Sequence, residues 1–179
     1  MRVIGLFLTK GQVHSVDFIV SGVIFITIFL SLVVFWDDVR FSFEQEEKAN
    51  DLELVTAYAL ESLMTHPGEP YNWSDYSSID AEKISSLGLT TGRYGHFDKD
   101  KVAALNHNES YEDIKTLLGV RGPGYEFKLN VKRFNSSYNV TDSWEIGYMG
   151  GCEITSQHER LASGNANDIY RIILKGCVT

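Results

Sequence analysis

Charge is missing from the chain between Phe18 and Trp36, a stretch of 19 positions. Ser21, Thr27 and Ser31 are its polar side chains, and a helix satisfies such hydroxyls against its own backbone. A soluble helix of this length normally keeps a polar face, and this stretch has none. At 1.5 Å per residue it extends about 28 Å, close to the roughly 30 Å of a bilayer's hydrocarbon core. Clustered bases are also missing. Lys and Arg number 16 against 24 Asp and Glu, for a net charge of −8, and no basic stripe occurs. That argues against nucleic acid as a partner, because such binding rests on neutralising phosphates. The five histidines are scattered without a His-Glu-x-x-His spacing, so no metal site is expected. Gly119, Gly122 and Gly124 precede an extended segment instead of opening a helix after one, which excludes a phosphate cradle. No nucleophile sits with a positioned base in any visible motif, so neither catalysis nor a cofactor is expected.

What is present orients the apolar stretch. Met1 to Gly11, ahead of it, carry Arg2 and Lys10 and no acid, whereas Asp37 and Asp38 follow it. The positive-inside rule then leaves the N-terminus in the cytoplasm and exports the C-terminal bulk. Trp36 stands where an interfacial aromatic belongs. Beyond the run, Trp36-Asp-Asp-Val-Arg40 offers no Ala-x-Ala site, so ordinary secretory cleavage after the helix is not expected.

From Asp37 to Met64 there is neither Pro nor Gly. Leu52, Val55, Ala59 and Leu63 recur at helical spacing, with Leu54, Ala57 and Tyr58 broadening the same face. One long helix is therefore expected from Val13 to Thr65, ended by His66-Pro67-Gly68. The alternative is an anchor followed by a separate juxtamembrane helix. Short helices are expected at 80–87, 99–105 and 111–118. Tyr125 to Lys132 alternates apolar and polar residues, as a half-buried strand does. Asn135 to Asn139 reads as a turn, and 144–149, 152–155 and 170–178 read as further strands. The expected fold is α+β, with a long N-terminal helix packed on an antiparallel sheet.

Cys152 and Cys177 permit one disulfide in an exported domain, or two buried thiols. Four Asn-x-Ser/Thr sequons begin at Asn72, Asn108, Asn135 and Asn139, each a possible N-glycan acceptor. None lies in the apolar run. Tyr71, Trp73, Tyr76 and Trp144 supply either an aromatic contact surface or packing for the sheet.

Lys10-Gly11-Gln12, then Ser15, an acid at Asp17 and a long apolar run resemble the class III signal peptide of archaeal type IV-like pilins and archaellins. The order of Pro67-Gly68-Glu69-Pro70-Tyr71-Asn72-Trp73, Leu105-Asn106, Ser110-Tyr111 to Val120 and Gly124-Tyr125-Glu126-Phe127 is similar to that of many archaeal pilin-like proteins. The resemblance implies four regions: a leader at 1–11, a membrane and filament-core helix at 12–36, its amphipathic continuation at 37–65 and an extracellular head at 66–179. It implies cleavage between Gly11 and Gln12 by a prepilin peptidase. Self-assembly into a helical filament, aided by an assembly ATPase and membrane platform, is implied too. Asp17 would be the sixth mature residue, where the family places its acid fifth. By resemblance Asp17 pairs with the new amine of a neighbouring subunit; by its own chemistry it caps the helix start. A minor pilin, or an anchored adhesin that never polymerises extensively, is the alternative function.

Overall fold

The computed structural model describes residues 10–76, 78–93, 95–107, 110–122, 124–164 and 168–179, with backbone alone for 10–15. The chain divides between Glu46 and Glu47 into two units. Helix α1 (Lys10–Thr65) is continuous over 56 residues, as the lack of Pro and Gly past Asp37 predicts.

The first unit holds the apolar part of α1. From Val16 to Trp36 every residue is exposed except half-buried Gly22. With no polar face to turn outward, the helix has only its own hydroxyls to satisfy. Thr27 Oγ1 donates to the Val23 carbonyl at 2.8 Å, and Ser31 Oγ donates to the Thr27 carbonyl at 2.9 Å. These are the i−4 bonds that let a polar side chain sit in an apolar helix.

The second unit, from Glu47, is the α+β head. After α1 come β1 (Gly68–Glu69), a 3-10 turn at Trp73–Asp75, β2 (Ser86–Leu87), α2 (Lys99–Asn106) and α3 (Tyr111–Leu117). Four long strands follow: β3 (Tyr125–Phe134), β4 (Val140–Tyr148), β5 (Ile154–Ser163) and β6 (Ile169–Val178). They form an antiparallel sheet in the order β4-β3-β6-β5, and β1 and β2 make a separate small ladder.

Period-2 alternation decides which side of the sheet is buried. Phe127, Leu129 and Val131 of β3 point inward, as do Tyr170, Ile172 and Leu174 of β6. They meet Ala59, Leu60, Leu63 and Met64 of α1, with Trp73, Phe97, Val102, Leu105 and Ile114 closing the core. The close approach of helix and sheet depends on Gly176. A Cβ there would lie 2.2 Å from Thr56 Oγ1 and 2.9 Å from Leu52 Cδ1.

Two local expectations fail. The segment 80–87 is not a helix. Asp80 Oδ1 accepts the Glu82 amide at 2.9 Å, the Asp80 carbonyl closes a single turn with Lys83 and Ile84, and Ser85 N–H then donates to the Glu69 carbonyl. The Asx-type bond competes with helix propagation, and β2 pairs with β1 instead. Leu52, Ala59 and Leu63 of α1 are buried with Val55 packed beside them, as expected, but the face broadens on the other side. Leu54 and Tyr58 are 55% and 68% exposed, while Thr56 and Leu60 are buried. Thr56 is accommodated because its hydroxyl donates to the Leu52 carbonyl at 2.7 Å.

Candidate functional site

The apolar segment is the first candidate site. It is long and apolar enough to cross a membrane, and its most apolar 18-residue window has no buried residue. Phe25 and Phe29, one turn apart, stack with centroids 6.3 Å apart. Asp17 is exposed at the start of the run but lies about two turns into α1, so it does not cap the helix as its own chemistry suggested. Lys10, Gly11 and Gln12 lie in the first turn of α1, and their side chains fall outside the described residues. After the run, Asp37 and Asp38 are exposed, and Arg40 Nε donates to Glu44 at 3.2 Å one turn on.

A second cluster lies in the head around the loop that follows α1. Its centre is Lys101, 2% exposed, which nothing in the sequence singles out. Its ammonium donates to the Pro67 carbonyl at 2.6 Å and the Thr90 carbonyl at 3.2 Å, and lies 4.3 Å from the centroid of the Tyr71 ring. Burial pushes the Lys101 pKa below its ordinary value, opposed by the charge of Asp98. Trp73, 1% exposed, donates its indole N–H to the carbonyls of Pro67 and Gly88 at 3.1 Å each. Gly88 has no room for a side chain, since a Cβ would sit 1.9 Å from the His66 carbonyl oxygen. The run Pro67 to Trp73 thus converges on one carbonyl, that of Pro67, held by both an indole and an ammonium. Its cis bond lies between Glu69 and Pro70. Trp73 is packing and not a contact surface, whereas Tyr71 and Tyr76 are 58% and 44% exposed and Trp144 is half-buried.

A third feature is a cleft of about 310 Å³ beside the start of α2, lined by Asp98, Asp100, Arg133, Asp168 and Tyr170 among others. Arg133 donates Nε and Nη2 to Asp168 at 2.8 and 2.6 Å, and Nη1 to Asp142 at 2.8 Å. Asp168 and Asp142 hold the guanidinium pKa above its usual value. One guanidinium is shared by two carboxylates, so the trio keeps a net negative charge and forms a clamp between β3, β4 and the entry to β6. Tyr170 at its base is pushed up by burial. Histidines do not converge here. His158 Nε2 meets the Glu53 carbonyl at 3.2 Å and Ser156 at 3.3 Å, and His96 meets Ser163 at 3.4 Å. Among the described residues no group of three His, Cys, Asp or Glu side chains is arranged to hold a metal.

Cys152 and Cys177 form a disulfide, with Cα atoms 5.6 Å apart. It ties the loop before β5 to the end of β6, beside the bond from Glu153 N–H to the Val178 carbonyl. Of the sequons, Asn72 is exposed but its successor Trp73 is a core anchor. Asn108 lies outside the described residues. Asn135 is half-buried in the β3–β4 turn and Asn139 is exposed at its end.

No family model, curated protein or solved structure matches the chain.

Proposed function

We propose that the chain is the structural subunit of an archaeal type IV-like adhesion pilus. In this reading it is inserted in the cell membrane through α1, cut between Gly11 and Gln12 by a prepilin peptidase, and assembled with other copies through the apolar half of α1. The observation that carries the reading is that half itself. A run of Phe, Ile, Leu and Val exposed on all sides from Val16 to Trp36 far exceeds the few hundred square ångströms of contiguous apolar surface that monomeric soluble proteins leave open. It needs lipid, other helices, or each in turn. The polar, disulfide-linked head on the same chain fits an extracellular sheath better than a cytoplasmic role. Contacts repeated head to tail without closure build an open helical filament, which suits a subunit whose long helix leaves its apolar half exposed.

The deciding experiment shears filaments from intact native cells and identifies their subunits by mass spectrometry. The chain is expected in abundance in the sheared fraction, with Gln12 as its N-terminal residue. Recovery solely in the detergent-soluble membrane fraction would remove the filament role and leave an anchored extracellular module.

A further inference from the structure

The turn between β3 and β4 contains an unusual residue beside an acceptor motif. Tyr138 has φ +59°, the sole described non-glycine residue in the left-handed region. An L side chain there costs on the order of 1 kcal/mol relative to the right-handed wells, and Gly or Asn is the usual occupant. Its backbone N–H donates to the Asn135 carbonyl at 2.9 Å, so the turn is held without any use of the side chain. The Tyr138 ring is 77% exposed, and its hydroxyl has no hydrogen-bond partner among the described residues. The next residue is Asn139, exposed, which opens the sequon Asn139-Val140-Thr141.

The turn fixes Asn139 by its backbone. Its N–H donates to Asn135 Oδ1 at 3.0 Å, and its carbonyl accepts the Asn135 N–H at 3.0 Å. Asn135 Oδ1 also accepts the Ser137 N–H at 2.9 Å. The two neighbouring sequons therefore do different things. Asn135 is the half-buried hub of the turn, and its carboxamide oxygen already serves two amides. Asn139 contributes backbone alone to the turn, and its carboxamide is left at the surface, next to an exposed aromatic face.

We infer that Asn139 is an N-glycosylation site and that Tyr138 is the platform on which its first sugar packs. The inference rests on the reading above that the head is exported. In the transfer step, Asn139 Nδ2 forms a bond to the anomeric carbon of a lipid-phosphate-linked oligosaccharide. The anomeric C–O bond breaks, the phosphate leaves with the electron pair, and Nδ2 gives up one proton. The polarised C–H bonds of a pyranose then meet the electron-rich ring face of Tyr138, as positive edges meet negative faces in aromatic pairs. The contact offsets the left-handed backbone, which explains why a tyrosine stands where glycine would be cheaper. Tyr138 is a positioning residue for the sugar and takes no part in its transfer.

The test uses the full chain purified from its native cells. Glycopeptide mass spectrometry is expected to find the sugar on Asn139 and not on Asn135. Thermal unfolding is then compared for Tyr138→Gly and Tyr138→Phe, each with and without the glycan, which Thr141→Val or Asn139→Gln removes. Two independent removals guard against one that fails to fold. Without glycan, Tyr138→Gly is expected to raise Tm by up to about 2 °C, because relief of the backbone is partly offset by the freedom glycine adds to the unfolded chain. With glycan, that gain is expected to vanish or reverse, while Tyr138→Phe behaves as wild type. An equal gain in both backgrounds overturns the platform role. A sugar on Asn135 with Asn139 bare overturns the site assignment. Protease shaving of intact cells separates the failures. A head cleaved from outside but bare at Asn139 sinks this inference alone, and a head protected inside the cell sinks the export reading with it.

Discussion

Gly176→Ala tests the contact on which the head is built. Gly176 lies in β6 between Phe127 of β3 and Ser156 of β5, so its missing side chain faces α1. The added methyl would meet Thr56 Oγ1 at 2.2 Å, Leu52 Cδ1 at 2.9 Å and Thr56 Cβ at 3.4 Å. Leu52 can rotate aside. Thr56 cannot easily do so, because it is β-branched, 2% exposed and bonded to the Leu52 carbonyl. Overpacking of this kind costs about 1–3 kcal/mol, and replacing glycine returns roughly 0.5–1 kcal/mol through the unfolded chain. A net loss of about 1–2 kcal/mol is expected. For a chain of this size that corresponds to a fall in Tm of roughly 2–8 °C.

The readout is the emission of Trp73, which is 1% exposed and reports the head core, measured during thermal and urea unfolding of the detergent-solubilised chain with Trp36 and Trp144 replaced by Phe in every variant. The decisive arm is the double mutant. Thr56→Ala alone sacrifices a hydroxyl bond and leaves a small gap, at about 0.5–1.5 kcal/mol. Combined with Gly176→Ala, the new methyl occupies that gap, so the two costs should fall short of their sum by about 1 kcal/mol. A Gly176→Ala protein as stable as wild type, or strictly additive costs, would show that α1 does not lie over β6 in this register.

The remaining predictions concern other parts of the chain. Cys152 and Cys177 are 25 residues apart, so replacing both with serine should cost about 3.5 kcal/mol by loop entropy, read as a lower urea midpoint; an unchanged midpoint would remove the bridge from the stability of the head. Lys101→Met keeps the stem but leaves the Thr90 carbonyl without its side-chain donor, at about 1–3 kcal/mol near neutral pH. Folding lowers the Lys101 pKa from 10.5, so between the folded value and 10.5 the unfolded chain binds more protons. Wild type should therefore gain stability over Lys101→Met as pH rises through that window, and a gap that narrows there would refute the buried ammonium. Gly11→Val should block maturation, since a branched side chain does not fit a site selecting a small residue; a normal mature N-terminus in that variant would refute the cleavage assignment. Asp17→Ala should insert in the membrane yet give few filaments, and wild-type filament yield would take Asp17 out of assembly.

How far the fold can be read from the sequence depends on whether burial repeats along the chain. The long helix was legible because two strong signals met: 19 uncharged positions, then 28 residues from Asp37 to Met64 without Pro or Gly. Strand β3 was legible because it is central and half-buried, so Phe127, Leu129 and Val131 alternate with polar partners. The edge strands were legible only in part. Strand β5 was expected at 152–155 but runs to Ser163, through Thr-Ser-Gln-His-Glu-Arg, because its side chains are mostly exposed and no apolar alternation marks it. Strand β4 begins at Val140, four residues before its first apolar inward residue, Trp144, for the same reason. Charged and polar edges also limit unwanted pairing between sheets, so the feature that hides these strands from a hydrophobic pattern is one that protects the fold.

The candidate sites divide along a similar line. A site made by one segment shows in the sequence: the apolar run and the sequons were both visible. A site made by distant segments does not. Lys101 reads as an ordinary solvated lysine, yet Pro67 lies 34 residues away along the chain and Thr90 11 residues away, and both carbonyls converge on its ammonium. The nearest signal was the spacing of Lys101 with Val102 and Leu105 on α2, all three buried on one face. The role of Tyr138 was hidden for another reason. Asn135-Ser-Ser-Tyr-Asn139 announces a turn by composition, but which residue takes the left-handed position depends on Asn135 capping the amides of Ser137 and Asn139. Once that is known, the two sequons cease to be equivalent: one carboxamide is committed to the turn and the other is presented beside a tyrosine in a costly conformation. The case for a sugar at Asn139 therefore depends on the geometry of five consecutive residues, beyond the presence of Thr141.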